Sequence, residues 1–323
     1  MRIDPRKIMC AIDFSEFSNS VLTFGQALAH RFDAPLVLCH VVPGQVMVHS
    51  HFYVDFNALE MDHARQVDQA RERLETLAAD HDVDARIIIR SGYAADELAA
   101  VASDEGIDLV ICATHGLTGI KRFLIGSVTE RLLKILHCPL FVLHDRPEAD
   151  PCGPLRKILV GCDFSEDSRM AVNYGLSLAQ EFEAELHLVH VIRAQMSQDD
   201  QADQLMRLHS GDLCQWYQSM DHSGLQNKKA TLPDEKHQMI SRIQKRLTQL
   251  APEECRHWCT PVTVLLEGEP HQELIRYADS TQIDVIVLGI RGHSLLEQFF
   301  VGSTTDRVVS RANRCVLAVR PEI

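Results

Sequence analysis

At roughly 100–200 residues per domain, a chain of 323 residues corresponds to about two domains, and 46% hydrophobic with 24% charged residues is ordinary globular composition. With 32 basic against 45 acidic residues the net charge is −13. So acidic a surface, with no basic stripe to override it, argues against nucleic acid and anionic membrane as partners, while an anionic small ligand held by backbone amides and helix ends stays open. The apolar run that ends at Asp13 is too short for a signal-peptide core, and no stretch is long and apolar enough to span a bilayer. The expectation is a soluble, cytoplasmic protein. Cys10, Cys39, Cys112, Cys162 and Cys315 lie in or at the end of apolar runs and no CxxC occurs, so they read as buried thiols in a reducing compartment.

In chain order, the first half alternates apolar, β-branched runs at 7–12, 35–42, 85–90, 108–113 and 140–144 with helical patterns at about 17–31, 57–81, 94–105 and 127–137. A short, turn-rich linker from Asp145 to Pro154 follows, and then the plan begins again. KIMCAIDFSE (7–16) matches KILVGCDFSE (157–166), and LVLCHVV (36–42) matches LHLVHVI (186–192), both at an offset of 150. GIDLVICATHG (106–116) matches QIDVIVLGIRG (282–292), and FLIGSVTERLL (123–133) matches FFVGSTTDRVV (299–309), at an offset of 176. Four collinear matches mean an internal duplication, with domains at 1–146 and 155–323. The extra residues of the second copy fall at about 194–245.

Strand–helix alternation with continuous apolar strands predicts an α/β fold. Each repeat should be a doubly wound five-stranded parallel sheet of order 3-2-1-4-5, with helices on both faces. The last strands, CPLFVLH (138–144) and CVLAVR (315–320), are apolar edges that should not stay bare.

In such a sheet ligands bind at the carboxyl ends of the strands, where the winding reverses between the first and fourth. The unusual residues lie there. Asp13 and Asp163 end the first strands, each followed by Phe-Ser-Glu. Gly289 and Gly292 follow the fourth strand of the second copy and let the backbone approach a ligand without an intervening Cβ. Nine residues later Gly302 and Ser303 open a helix, whose free amides are an anion site. A plainer reading makes Ser127–Glu130 and Ser303–Asp306 capping boxes and the glycines a mere turn.

A G-x2-G-x9-G-[S/T] pattern after the fourth strand, an Asp ending the first strand and a duplicated unit resemble the universal stress protein family in its tandem form, over nearly the whole chain. The resemblance implies a Rossmann-like, adenine nucleotide alpha hydrolase-like fold, ATP as ligand with Mg2+ as its companion, and a role in stress response or signalling. Members of the family commonly pair at the last-strand edge, so the resemblance also implies that the two repeats pair with each other there about a pseudo-two-fold axis, with a further homodimer through other faces left open. It implies that Asp163 and Val191 border the nucleoside, and that Gly289, Gly292, Gly302 and Ser303 cradle the phosphates. In the first copy the matching positions are Asp13, Val41, Ala113, Gly116, Gly126 and Ser127, with Ala113 replacing the first glycine. If that position needs positive φ or close ligand approach, the methyl costs on the order of 1 kcal/mol or more. In ordinary β conformation it costs little. The second copy is therefore the stronger expectation for binding.

Turnover has less to rest on. No GxxxxGK[ST], no HRD with DFG and no SGGxDS loop occurs, and no general base is evident. Arg291, His293, His115 and Lys121 could touch phosphate, although loop residues of this kind are more often simply solvated. The reading is binding, with a slow ATPase or nucleotidyl-transfer enzyme, or a scaffold with empty pockets, as alternatives. Cys255-Arg-His257-Trp-Cys259, with His209 and Cys214, offers metal-ligand types, as do His49, His51 and His63, but no CxxC or HxxxH accompanies them and no metal is assigned. The 194–245 insertion, with helical spacing over 195–220, reads as a lid or helix on its own domain, or as a docking surface for a protein partner.

Overall fold

The computed structural model describes residues 5–44, 56–114, 126–144, 155–193, 232–259, 261–291 and 301–320. The first repeat runs β1 (Ile8–Ala11), α1 (Ser18–Phe32), β2 (Leu36–Pro43), α2 (Phe56–Asp80), β3 (Ala85–Gly92), α3 (Ala94–Asp104), β4 (Leu109–Ala113), α4 (Ser127–Ile135) and β5 (Leu140–Leu143). The second runs β6 (Lys157–Gly161), α5 (Glu166–Phe182), β7 (Glu185–Ile192), α6 (Leu232–Gln249), β8 (Val262–Glu267), α7 (Pro270–Thr281), β9 (Val285–Gly289), α8 (Ser303–Arg311) and β10 (Cys315–Val319). Among the described residues no helix is long and apolar enough to cross a membrane.

The ten strands form one sheet of order β3-β2-β1-β4-β5-β10-β9-β6-β7-β8. Each half thus has the 3-2-1-4-5 order expected of a doubly wound repeat. Equivalent strands keep equivalent registers: Ile8 pairs with Leu36 as Ile158 pairs with Leu186, and Val110 with Leu140 as Ile286 with Val316. Ile8, Met9, Val110, Ile158, Leu159 and Ile286 are fully buried because helices cover both faces of the central strands. On one face Leu22, Leu28 and Leu74 pack in a cluster that continues into Leu178, Ile243 and Leu247 of the second repeat. On the other, Leu98, Leu132 and Leu133 continue into Leu274, Val308 and Val309.

The repeats meet along β5 and β10, the antiparallel step in the sheet. Phe141 faces Leu317, with Val142 opposite Val316 and Leu140 opposite Ala318. That pairing is symmetric under the 176-residue offset, so the pseudo-two-fold axis passes between Phe141 and Leu317. Contacts on either side obey the same symmetry. Arg320 Nη2 donates to Leu133 O (2.6 Å), and His144 Nε2 lies 2.8 Å from Val309 O. Arg31 forms an ion pair with Glu181 (3.3 Å), its equivalent at offset 150, and Phe32 meets Phe182 with ring centroids 6.5 Å apart. The expected intramolecular pairing is thus realised, with both apolar edges covered.

Candidate functional site

The Asp-Phe-Ser-Glu segment builds the same turn in both repeats. The Ser15 N–H donates to Asp13 Oδ1 and the Ser165 N–H to Asp163 Oδ1, each at 2.9 Å. A carboxylate that accepts from the amide two residues on makes an Asx turn, which swings the chain from strand to helix. Between them Phe14 (φ 61°) and Phe164 (φ 65°) adopt the left-handed conformation, rarely accessible to a residue with a Cβ. Two such outliers at equivalent positions mark this rim as a place where strain is tolerated. Ser165 completes the turn as N-cap of α5, accepting from the Ser168 N–H (3.1 Å).

Each Phe ring is clamped. Phe14 lies 4.4 Å from the His40 ring and under Arg73 (3.9 Å), and Phe164 lies 4.9 Å from His190 and under Arg246 (4.6 Å). His40 Nδ1 and His190 Nδ1 approach Ile12 O (2.7 Å) and Cys162 O (2.6 Å) respectively, the carbonyls just before each Asp. Burial pushes the His40 imidazole below its ordinary pKa, which favours the neutral ring. Sequence reasoning missed this Arg–Phe–His stack. The shared Phe and His were visible in the repeat alignment, but nothing in α2 or α6 distinguished Arg73 or Arg246 from a solvated helix arginine.

The fourth strand hands over to the following helix identically in both repeats. Thr114 N donates to Leu143 O (3.0 Å) and Ile290 N to Val319 O (2.7 Å). Gly126 N donates to Thr114 O (2.8 Å) and Gly302 N to Ile290 O (2.7 Å), pinning the returning chain beside the strand end. Thr129 Oγ1 reaches Ala113 O (3.0 Å) and Thr305 Oγ1 reaches Gly289 O (2.7 Å). A Cβ on Gly126 would stand 2.9 Å from Thr114 O, so the close return of the chain requires glycine there.

Two expectations change in detail. Gly126 and Gly302 are themselves the N-caps, so Ser127 and Ser303 are first-turn residues and neither serine–acid pair is a capping box. The Gly302 amide is not free, because it closes the loop. What the helices offer is a first turn whose cap has no side-chain oxygen, beginning at the exposed Ser127 and Ser303.

Gly289 and Ala113 also resolve differently from the motif reading. Neither has positive φ. A Cβ on Gly289 would lie 2.7 Å from the carbonyl carbon and Cβ of Asp167, so the glycine makes room for the first turn of α5. In the first repeat α1 starts at Ser18, two residues later than α5 by the 150 offset, and Ala113 is tolerated. Asp167 is buried, and its Oδ2 accepts from the Arg291 N–H (3.0 Å) and Nε–H (3.2 Å). Val41 and Val191 lie near the ends of β2 and β7 and pack on the α3/α4 and α7/α8 face, the face from which the glycine-capped helices rise. Asp13, Val41, Ala113, Gly126 and Ser127 therefore gather at the carboxyl rim of the first repeat, and Asp163, Val191, Gly289, Gly302 and Ser303 at that of the second, which the antiparallel β5–β10 step places at the opposite edge of the sheet. Gly116, Gly292, His115, Lys121 and His293 lie outside the described residues.

Among the described residues the metal-ligand types do not converge. Residues Glu253–His257 form a 3-10 turn before β8, started by Pro252 and the Glu pair. Cys255 and Cys259 face inward and His257 is exposed. His63 Nε2 lies 3.0 Å from Ser91 Oγ. Among the described residues no group of three or more His, Cys, Asp or Glu could hold a metal ion. His49, His51, His209, Cys214 and the 195–220 helical pattern lie outside the described residues.

Known proteins agree with this architecture. A crystal structure of a universal stress protein from Archaeoglobus fulgidus superposes with a TM-score of 0.64 at 16% identity, over 98% of each chain. A universal stress protein of Mycobacterium tuberculosis is 22% identical over 322 residues, 98% of this chain and 97% of its own length. YxiE, a universal stress protein of Bacillus subtilis, is 27% identical over 148 residues, 42% of this chain and 97% of its own. The profile of the Universal stress protein family matches residues 5–144 and 154–320, once for each repeat. This chain, with its two doubly wound repeats joined edge to edge, belongs to the universal stress protein family.

Proposed function

We propose that the protein binds an adenine nucleotide, ATP, at the carboxyl ends of the first and fourth strands of each repeat, and acts in stress response or signalling as a binding module. The domains are taken as 1–146 and 155–323. Asp13 with Val41, and Asp163 with Val191, would border the nucleoside. Gly126 with Ser127, and Gly302 with Ser303, would meet the phosphates, together with Gly116 and Gly292. One observation carries the reading: two segments of different sequence close the strand-to-helix loop with the same three hydrogen bonds, each leaving a glycine-capped helix N-terminus beside an Asx turn. A helix first turn capped without a side-chain oxygen suits an anion, and it suits one despite the net charge of −13 because the interaction is local. Mg2+ would offset phosphate charge, and Asp163 is the carboxylate proposed to face it.

Ligand that binds only the folded chain raises its stability by mass action, by about 2.7 kcal/mol at 100 times Kd. Thermal unfolding of the full chain should therefore shift upward with ATP concentration and not with CTP at equal ionic strength. No ATP-dependent shift would refute the proposal. Phosphate release under ATP excess that falls in a D163N chain would instead identify an ATPase.

A further inference from the structure

The two rims differ in their charged groups: the second repeat has Asp167 and Arg291 where the sequence of the first has Phe17 and His115. In the second repeat Asp167 stands in the first turn of α5 with its side chain only 9% exposed, and its carboxylate accepts both the main-chain N–H and the Nε–H of Arg291. Arg291 is the second residue after β9, in the segment that leads from Gly289 toward Gly292. The contact is built into the backbone: α5 presses so close to the strand end that Gly289 has no space for a Cβ. In the first repeat the position equivalent to Asp167 is Phe17, which carries no charge, and α1 begins two residues later. Arg291 and its amide are groups of the kind that recognise a phosphate, and here an internal carboxylate already occupies them.

We propose that Asp167 is the residue that sets nucleotide affinity in the second repeat, an internal anion that competes with the phosphates for Arg291. The inference rests on the nucleotide reading of the rim. The intact Gly289 reflects the approach of Asp167, and the first repeat has the uncharged Phe17 at the equivalent position. An incoming phosphate has two ways to settle. It either displaces Asp167 from Arg291 or binds beside a fixed negative charge, and both weaken binding in proportion to ligand charge. A ligand without phosphate is not affected in this way. Asp167 therefore discriminates against the charged end of the nucleotide and leaves the nucleoside end alone.

The test uses the full chain with the first site removed by D13A, so that binding reports the second repeat. Titration with N-methylanthraniloyl-ATP and, separately, with adenosine is compared between D13A and D13A/D167N, with D13A/D167A as a second variant in case the amide retains the Arg291 contact. The expected result is an affinity for the ATP analogue that rises about tenfold when the charge is removed, with adenosine unchanged. Equal gains for ATP analogue and adenosine would mean that the pocket has simply opened, and no gain for either would mean that the ion pair is structural. Each of these overturns the inference while leaving the nucleotide reading intact. Absence of binding in wild type and in every variant overturns the nucleotide reading, and the inference with it.

Discussion

A methyl group added at Gly289 would sit 2.7 Å from the Asp167 main chain, and the obstacle is a helix backbone that cannot swing aside as a side chain would. G289A should therefore lower stability by about 2 kcal/mol, the usual cost of forcing an extra carbon into a packed site. A113G, at the equivalent place in the first repeat, should cost no more than about 1 kcal/mol, the entropic penalty of glycine in a strand. Urea denaturation of the two variants checks the contrast, and equal losses would mean that the approach of α5 is not a constraint. His40 gives a second prediction at this scale. Burial lowers its pKa in the folded state, with Arg73 pushing the same way and the Ile12 carbonyl and Asp13 opposing. The unfolded imidazole, at about 6.5, then binds a proton that the folded ring refuses, so stability should fall as pH drops from about 6.5 through the lowered folded value. An H40Q chain should show a shallower loss of melting temperature between pH 7 and pH 5. An unchanged slope would mean that His40 is not one of the groups responsible.

Between elements, the junction of the two repeats has residues that complement each other and not themselves. Arg31 and Glu181 occupy equivalent positions, so pairing of a repeat with its own kind would bring arginine to arginine or glutamate to glutamate. R31E and E181R should each destabilise the chain, and the double charge swap should recover most of the loss. The coupling should be on the order of 0.5–1 kcal/mol, given that Arg31 is 45% exposed. Additive losses in the double-mutant cycle would show that the pair contributes nothing. The strands themselves hold their thiols out of reach. Burial raises Cys39 and Cys112 to about 12 and raises Cys10 and Cys162 further. Iodoacetamide at pH 8 should leave these four unmodified in the native chain and alkylate them once urea unfolds it. Rapid native labelling at any of them would contradict the packing described.

At the scale of the whole molecule, the architecture was legible because duplication wrote it twice. Two offsets, 150 and 176, matched the first, second and fourth strands of the repeats and placed the extra residues between β7 and β8. The apolar ends 138–144 and 315–320 marked edges that needed cover, and the family resemblance made the other repeat the expected partner, as the β5–β10 pairing shows. The rim was legible as a set of residue types at a place, and less so as geometry. Glycine in a motif does not say what comes close to it: at Gly289 it is Asp167, a residue without special spacing in the sequence. Serine before a helix likewise looks like a cap until the hydrogen bonds show that the preceding glycine holds that position. The Arg–Phe–His stacks depend on helices far along the chain and leave no local signature.

The central claim, that each repeat takes one nucleotide between its first and fourth strands, is tested most directly by the stoichiometry of ATP binding. Isothermal titration of the full chain should give two sites, with one lost in D13A, the other lost in D163A and none left in the double variant, provided circular dichroism shows each variant folded. A folded double variant that still binds two equivalents of ATP, or a wild-type chain that binds none, would contradict the account.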